Sequence, residues 1–333
     1  MEENMIDKKA IISDIAGLSQ PLTKLVEAIT AGIGTWYEPI GIERKAKAEA
    51  KQIQIIAEMC TKNINVPVHY NKDGTDIDTN KPVLELAKRA MLRNFAQEMN
   101  KQQNIESVIN YAKEILEKEQ EVSKDPVSQT WLSNFFESAG HVEEEDLQKI
   151  WGRLLAGEIK QPNSYSLRTM NLLRNMTTRE ARIFQAISPF VVVANNQYVV
   201  PSDKELYTKY KIKYAQILQL DECGLINAQG LLSLTFSSGS GGEVHIYNYD
   251  LFARLLEKAG INMHLQINIY PLTVAGKELF NVIARDSNQD FFKDYIKRIE
   301  QRNKNMAAYI YKKELLPGKD GNFNIQDQIY PEK

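Results

Sequence analysis

The sequence predicts a mainly α chain. An N-terminal and central helical bundle is followed by an α+β, winged-helix-like C-terminal domain. Three observations carry this reading. Apolar residues recur at spacings of three and four through the first 190 positions. From Tyr198 the period shifts toward two, with Gly/Ser-rich punctuation. A length of 333 residues, with 43% hydrophobic and 25% charged, suits a globular chain of about two or more domains. The expected organisation is 1–125 N-terminal helical, 126–190 central helical, 191–285 winged-helix-like, and 286–333 a final helix with a mobile tail.

The first helical signal is Ile11, Ile15 and Leu18, then Leu22, Leu25, Val26, Ile29 and Ile33, with Ser19 and Pro21 as start signals. Residues 11–40 end in small and aromatic positions, so either a core helix or a surface that meets a membrane or partner fits them. The next helix carries Ile42, Ala46, Ala50, Ile53, Ile56 and Cys60 on one side and a slightly basic, solvated face on the other. Residues 67–82 read as a polar loop. Asp73, Asp76 and Asp78 miss the EF-hand pattern, and Lys72-Asp73-Gly74 reads as a turn. Helix resumes from Val83 to about Val122 and stops before Pro126.

The central block is the most patterned. Trp131, Leu132, Phe135 and Phe136 mark one helix. Glu143 to Asp146 open the next, where negative charge suits the helix dipole. Leu147, Ile150, Trp151, Leu154, Leu155 and Ile159 then form its apolar stripe, and Gly152 suggests a close neighbour. After Pro162, Asn163 or Ser164 is the expected cap of a helix through Leu167, Met170 and Leu173. Thr177 and Glu180 form a capping box for another, ending at Ser188-Pro189.

Three chemistries were weighed in this block. Glu158-Ile159-Lys160 matches half of a metal-dependent nuclease motif, but it ends a helix where such a site needs strands. Ser164 or Ser166 lacks a nearby histidine base. Arg153 and Arg168, with Ser164, Ser166 and Trp151, form a candidate interaction or anion-binding set at a helix start. The simpler alternative is that these serines and arginines tie two helices together.

These residues carry a resemblance. Trp131-Leu132 through Phe136, Glu145-Asp146-Leu147-Gln148, Trp151 through Glu158, Pro162 and Ser166-Leu167-Arg168 resemble uncharacterised bacterial proteins similar to the abortive-infection Abi-alpha type. The later Leu272-Thr273, Ala275-Gly276 and Glu278-Leu279 resemble them too. The resemblance implies a bacterial, cytoplasmic, helical protein linked to phage defence, and no catalytic residue.

Beyond residue 190, Tyr198-Val199-Val200 reads as a strand, and 204–209 and 213–222 as helices. Leu232, Leu234 and Phe236 alternate, a flexible Ser/Gly turn spans 237–242, and Val244 to Tyr249 return as the partner strand of a wing. Asp250 is the expected cap of a helix to Gly260. Leu265, Ile267 and Ile269 alternate as a strand, a helix covers Leu279 to Ile283, and the last helix runs from Phe291 to Ile310. Lys204, Lys209, Lys211 and Lys213 are candidate nucleic-acid contacts on the winged region, opposed by Asp203, Glu205, Asp221 and Glu222.

Charge and composition bound the function. With 41 Lys and Arg against 43 Asp and Glu, the net charge of −2 excludes a globally basic nucleic-acid coat. Two cysteines, Cys60 and Cys223, suggest reduced thiols. The acidic start Met1-Glu2-Glu3 is unlike a signal peptide, and no run reaches the ~20 apolar residues of a membrane span, so a cytoplasmic protein is expected. His69, His141, His245 and His264 are scattered, and no cofactor or metal is implied. The expectation is a non-enzymatic interaction protein, a sensor or effector in phage defence, with a protein partner that includes a second copy of itself. A DNA-binding regulator and a membrane-active effector through residues 11–40 are the alternatives.

Overall fold

The computed structural model describes residues 18–33, 68–71, 74–77, 86–230, 232–240, 242–258, 262–283, 287–315 and 323–331. The chain divides into two compact units, Met1–Ser164 and Tyr165–Lys333. The amphipathic stretch 42–62, Cys60 and much of residues 11–40 lie outside the described residues.

The first unit is built on helices α1 (Gln20–Ile33), α2 (Leu86–Leu116), α3 (Gln129–Ala139) and α4 (Glu145–Lys160). Between α1 and α2, the expected loop holds two strands, β1 (Val68–Asn71) and β2 (Gly74–Ile77). They pair antiparallel with Asn71 opposite Gly74, so the Asp-Gly signal belongs to a hairpin with Val68-His69-Tyr70 as its first arm.

Sequence dictates the helix ends. Ser128 caps α3 by accepting from the Trp131 N–H, and Glu145 and Asp146 occupy the first turn of α4. The apolar stripe of α4 is buried, with Trp151, Leu154 and Leu155 fully so. The Trp151 ring lies 5.2 Å from that of Phe135, which stacks at 5.0 Å on Trp131. Helices α2 and α4 meet at Gly152. A Cβ there would stand 2.5 Å from the Tyr111 Cβ and 3.0 Å from the Val108 carbonyl oxygen, so only glycine lets the two backbones approach this closely. Buried Gln148 donates to the Val142 carbonyl at 2.8 Å, which satisfies a polar group that would otherwise oppose burial.

The second unit begins with α5 (Leu167–Asn175) and α6 (Thr178–Ile187). Ser166 caps α5, two or three positions beyond the expected Asn163 or Ser164. Asn163 instead takes a left-handed turn, φ 69°, which postpones the helix. The Thr177–Glu180 capping box forms as expected. Then follow β3 (Val192–Ala194), β4 (Gln197–Pro201), α7 (Lys204–Lys209), α8 (Tyr214–Glu222), β5 (Leu232–Ser240), β6 (Glu243–Asn248), β7 (Leu251–Glu257), β8 (Asn262–Pro271), α9 (Val274–Ile283), α10 (Gln289–Arg302), β9 (Met306–Leu315) and β10 (Phe323–Tyr330). The eight strands β3 to β10 form one antiparallel sheet in the order β10-β9-β7-β6-β3-β4-β8-β5.

This sheet replaces the expected wing. The strands 232–236 and 244–249 do not pair. Strand β5 pairs with β8 over its whole length, while β6 forms its hairpin with β7. The Ser/Gly run continues β5 to Ser240 rather than turning at 237. The helix expected after Asp250 is β7, and the final helix stops at Arg302, where β9 begins three residues beyond Asn303. Part of the expected mobile tail is β10, an edge strand against β9. The physical reason is common to all three. A short apolar run such as Leu251-Phe252-Ala253 is ambiguous by period, and strand neighbours on both sides decide it.

One knot joins the helices of this unit. The Thr273 hydroxyl donates to the Gly224 carbonyl at 2.6 Å, and the Gly276 N–H donates to that hydroxyl at 3.0 Å. Glu278 accepts from the Ser166 N–H at 2.7 Å, tying α9 to the start of α5. Gly276 rides against the end of α8: a Cβ there would lie 2.0 Å from the Leu225 carbonyl oxygen. Gly276→Ala must therefore displace backbone. We expect it to lower the stability of the second unit by about 3 kcal/mol, read as a drop in melting temperature. Unchanged melting would contradict this packing.

Candidate functional site

A polar cavity of about 240 Å³ opens in the second unit, between the end of β4, strand β8 and the last turns of α10. Alternation along β8 builds one wall, with Leu265, Ile267 and Ile269 buried and His264, Gln266 and Asn268 exposed. Helix α10 is capped by Asn288, which accepts from the Phe291 N–H at 2.9 Å. Its apolar stripe, Phe291, Phe292, Tyr295, Ile296 and Ile299, is buried. Tyr295 and Arg302 of this helix both line the cavity.

Asp203 organises the site. It is only 7% exposed. One carboxylate oxygen caps α7, accepting from the N–H groups of Glu205 at 3.0 Å and Leu206 at 3.2 Å. The other accepts from Arg298 Nε at 3.0 Å and from Arg302 at 2.9 Å. Burial opposes its charge, but the Leu206 N–H and the two guanidiniums outweigh burial and hold the carboxyl below its usual range. Arg298 also bonds Glu205, and its own ionisation is pushed up by these carboxylates.

Tyr295 is 5% exposed, and its hydroxyl is buried without a hydrogen-bond partner among the described residues. Burial pushes its ionisation up, so the phenol keeps its proton and is a donor in want of an acceptor. Leaving such a group unpaired costs about 1–3 kcal/mol. The cavity therefore offers a buried hydroxyl, the 62%-exposed Arg302 guanidinium and side-chain amides of β8 and Asn303. That arrangement suits the capture of a small polar molecule.

The residues singled out from the sequence lie elsewhere. Trp151 is wholly buried in the core of the first unit. Arg153 is half-buried on α4, and the Ser164 hydroxyl donates to the Gln161 carbonyl at 2.6 Å. Ser166 is spent on capping α5, and Arg168 is exposed in its first turn. Arg153 and Ser164 belong to the first unit, Ser166 and Arg168 to the second. Glu158 is buried and accepts from the Asn163 N–H at 2.7 Å, a loop-fastening role. Lys204, Lys211 and Lys213 are exposed, while Lys209 is paired with Asp294. No group of metal-ligating side chains occurs among the described residues, and no described helix is long and apolar enough to cross a membrane.

Sequence reasoning missed Asp203, Tyr295, Arg298 and Arg302. A signal was present: Asp203 stands where a helix N-cap is expected, and Arg298 and Arg302 share one face of α10 at a spacing of four.

The second unit also presents an unguarded sheet edge. Strand β5 ends the sheet, and over nine residues, Leu232 to Ser240, it has no charge and no proline. Ser233, Thr235 and Ser237 are exposed along it. The opposite edge, β10, is broken by register shifts and carries Asp327, the usual means of blunting an edge.

A family model described as a protein of unknown function, DUF2806, matches residues 88–296. Its span includes the residues that carry the abortive-infection resemblance, and its description names no such role. No curated protein and no solved structure matches the chain.

Asp203→Ala should cost about 3 kcal/mol of second-unit stability, because it removes a cap and strips two arginines of their buried partner. The pH dependence has a fixed sign. A carboxyl lowered in the folded state contributes fully above its unfolded value of about 3.9 and fades as pH falls through the folded one. Unfolding measured against pH should therefore be flatter at the acid end in Asp203→Asn than in the wild type.

Proposed function

The chain belongs to the DUF2806 family, and from that premise we propose that it is a non-enzymatic interaction protein that pairs through strand β5 with a second copy of itself. The observation that carries this reading is the long, uncharged edge. An edge strand exposes a row of backbone donors and acceptors, and folded proteins normally protect it with charge, proline or irregularity. Here the bulge lies only at the far end, between Ser238 and Ser240.

A second copy suits this edge for a specific reason. A two-fold axis through Thr235 sets Leu234 opposite Phe236 and Ser233 opposite Ser237, so apolar meets apolar and hydroxyl meets hydroxyl. No like charges are brought together. The cellular setting we infer is phage defence, which the resemblance carried by residues 131–168 supports.

Sedimentation velocity tests the pairing. The wild type should dimerise reversibly. Thr235→Lys, an exposed substitution that sets two cations across the axis, should be monomeric, and mixing it with Thr235→Glu should restore the dimer. A wild type that stays monomeric at every concentration, or a Thr235→Lys variant that still dimerises, overturns the reading. For the setting, a host lacking the chain should give more phage plaques than one expressing it, and equal counts across a phage panel would remove it.

A further inference from the structure

We propose that the cavity between β4, β8 and α10 is a binding site for a small hydroxylated oxyanion, a molecule bearing one carboxylate or phosphate together with hydroxyl groups. This goes beyond the strand-pairing reading and does not depend on it.

The chemistry of the lining dictates the class. Tyr295 holds a buried hydroxyl with no partner, on the cavity wall. Its neighbour Asp203 is not available to accept from it. That carboxylate already receives two backbone N–H groups and two guanidiniums, which use its roughly four acceptor positions. The acceptor must come from a ligand. Burial keeps the phenol protonated, so the ligand supplies an oxygen lone pair rather than a proton.

Arg302 supplies the charge. It gives one N–H to Asp203 and is 62% exposed, and a guanidinium carries five donors in a fork that matches carboxylate and phosphate. Arg298 and Arg302 together exceed the single charge of Asp203, with Glu205 taken up by Arg298 at the exposed rim. The side-chain N–H of Gln266 is given to Ser233, and that of Asn303 to the Ile299 carbonyl. Their amide oxygens are left to accept, which selects ligand hydroxyls. The volume of about 240 Å³ falls below the ~300–1,000 Å³ of sites for drug-sized ligands, so the molecule is small.

Calorimetric titration of the full chain tests this with three probes: inorganic phosphate, glycerol 3-phosphate and D-glycerate. Glycerol 3-phosphate or D-glycerate should bind saturably and more tightly than inorganic phosphate, and the stronger of the two identifies phosphate or carboxylate as the charged group. Arg302→Gln should weaken that probe about tenfold or more, as expected for a lost charge-assisted hydrogen bond. Tyr295→Phe keeps the ring and removes the hydroxyl. It should also weaken binding about tenfold, while the ligand-free melting temperature stays level or rises because an unpaired polar group has gone. Absence of saturable binding to all three probes overturns the proposal. So does binding that both variants leave unchanged, and so does a ligand-free Tyr295→Phe chain that melts lower, because its hydroxyl would then have a structural partner.

Discussion

The second unit depends on a buried negative charge. Asp203 sits at the junction of a strand and a short helix, and a carboxylate taken out of water must be fully paired to be tolerated. Two backbone N–H groups and two arginines do that here. The consequence is geometric. The charge cannot move without exposing unpaired donors, so α7 and the C-terminal half of α10 are fixed to the same point, and α10 in turn covers the sheet at β7 and β9. The cavity is the space that this arrangement leaves beside β8.

A second constraint explains sequence signals that seem to lie far apart. Ser166 and the 272–279 segment both contribute to the resemblance noted from sequence, and they meet directly. Glu278 receives the Ser166 N–H, Thr273 bonds the end of α8, and Gly276 admits the Leu225 carbonyl where any side chain would collide. The matched family segment, 88–296, contains every partner of this knot. Its residues act in folding. The chemistry-bearing groups lie instead on β8, at Asp203 and on α10.

The two edges of the sheet show how local sequence sets the options for association. Strand β10 carries Asp327 and irregular pairing, whereas β5 offers nine residues of uncharged, mostly small side chains. Backbone hydrogen-bonding capacity is equal at both edges in principle. What differs is the cost of bringing a second strand beside them, through charge repulsion and broken register.

Helices of the first unit were legible in the sequence because their information is local. The stripe from Leu147 to Ile159, the Thr177–Glu180 box that opens α6 in the second unit, and the small residue at Gly152 each declare a helix face, an end or a contact without reference to distant residues. Alternation on β4 and β8 was equally plain. Tertiary structure alone decided which strands pair: β5 passes over its apparent partner β6 to join β8, and Leu251 to Glu257 becomes a strand because β6 and β9 flank it. It also decided the candidate site, since Asp203, Tyr295 and Arg302 are separated by about ninety residues and become neighbours only when α10 closes on β4 and β8. Sequence by itself determined periodicity, caps and turns, which depend on near neighbours. Strand order and the pairing of a buried charge are set by long-range contacts, and no local pattern contains them.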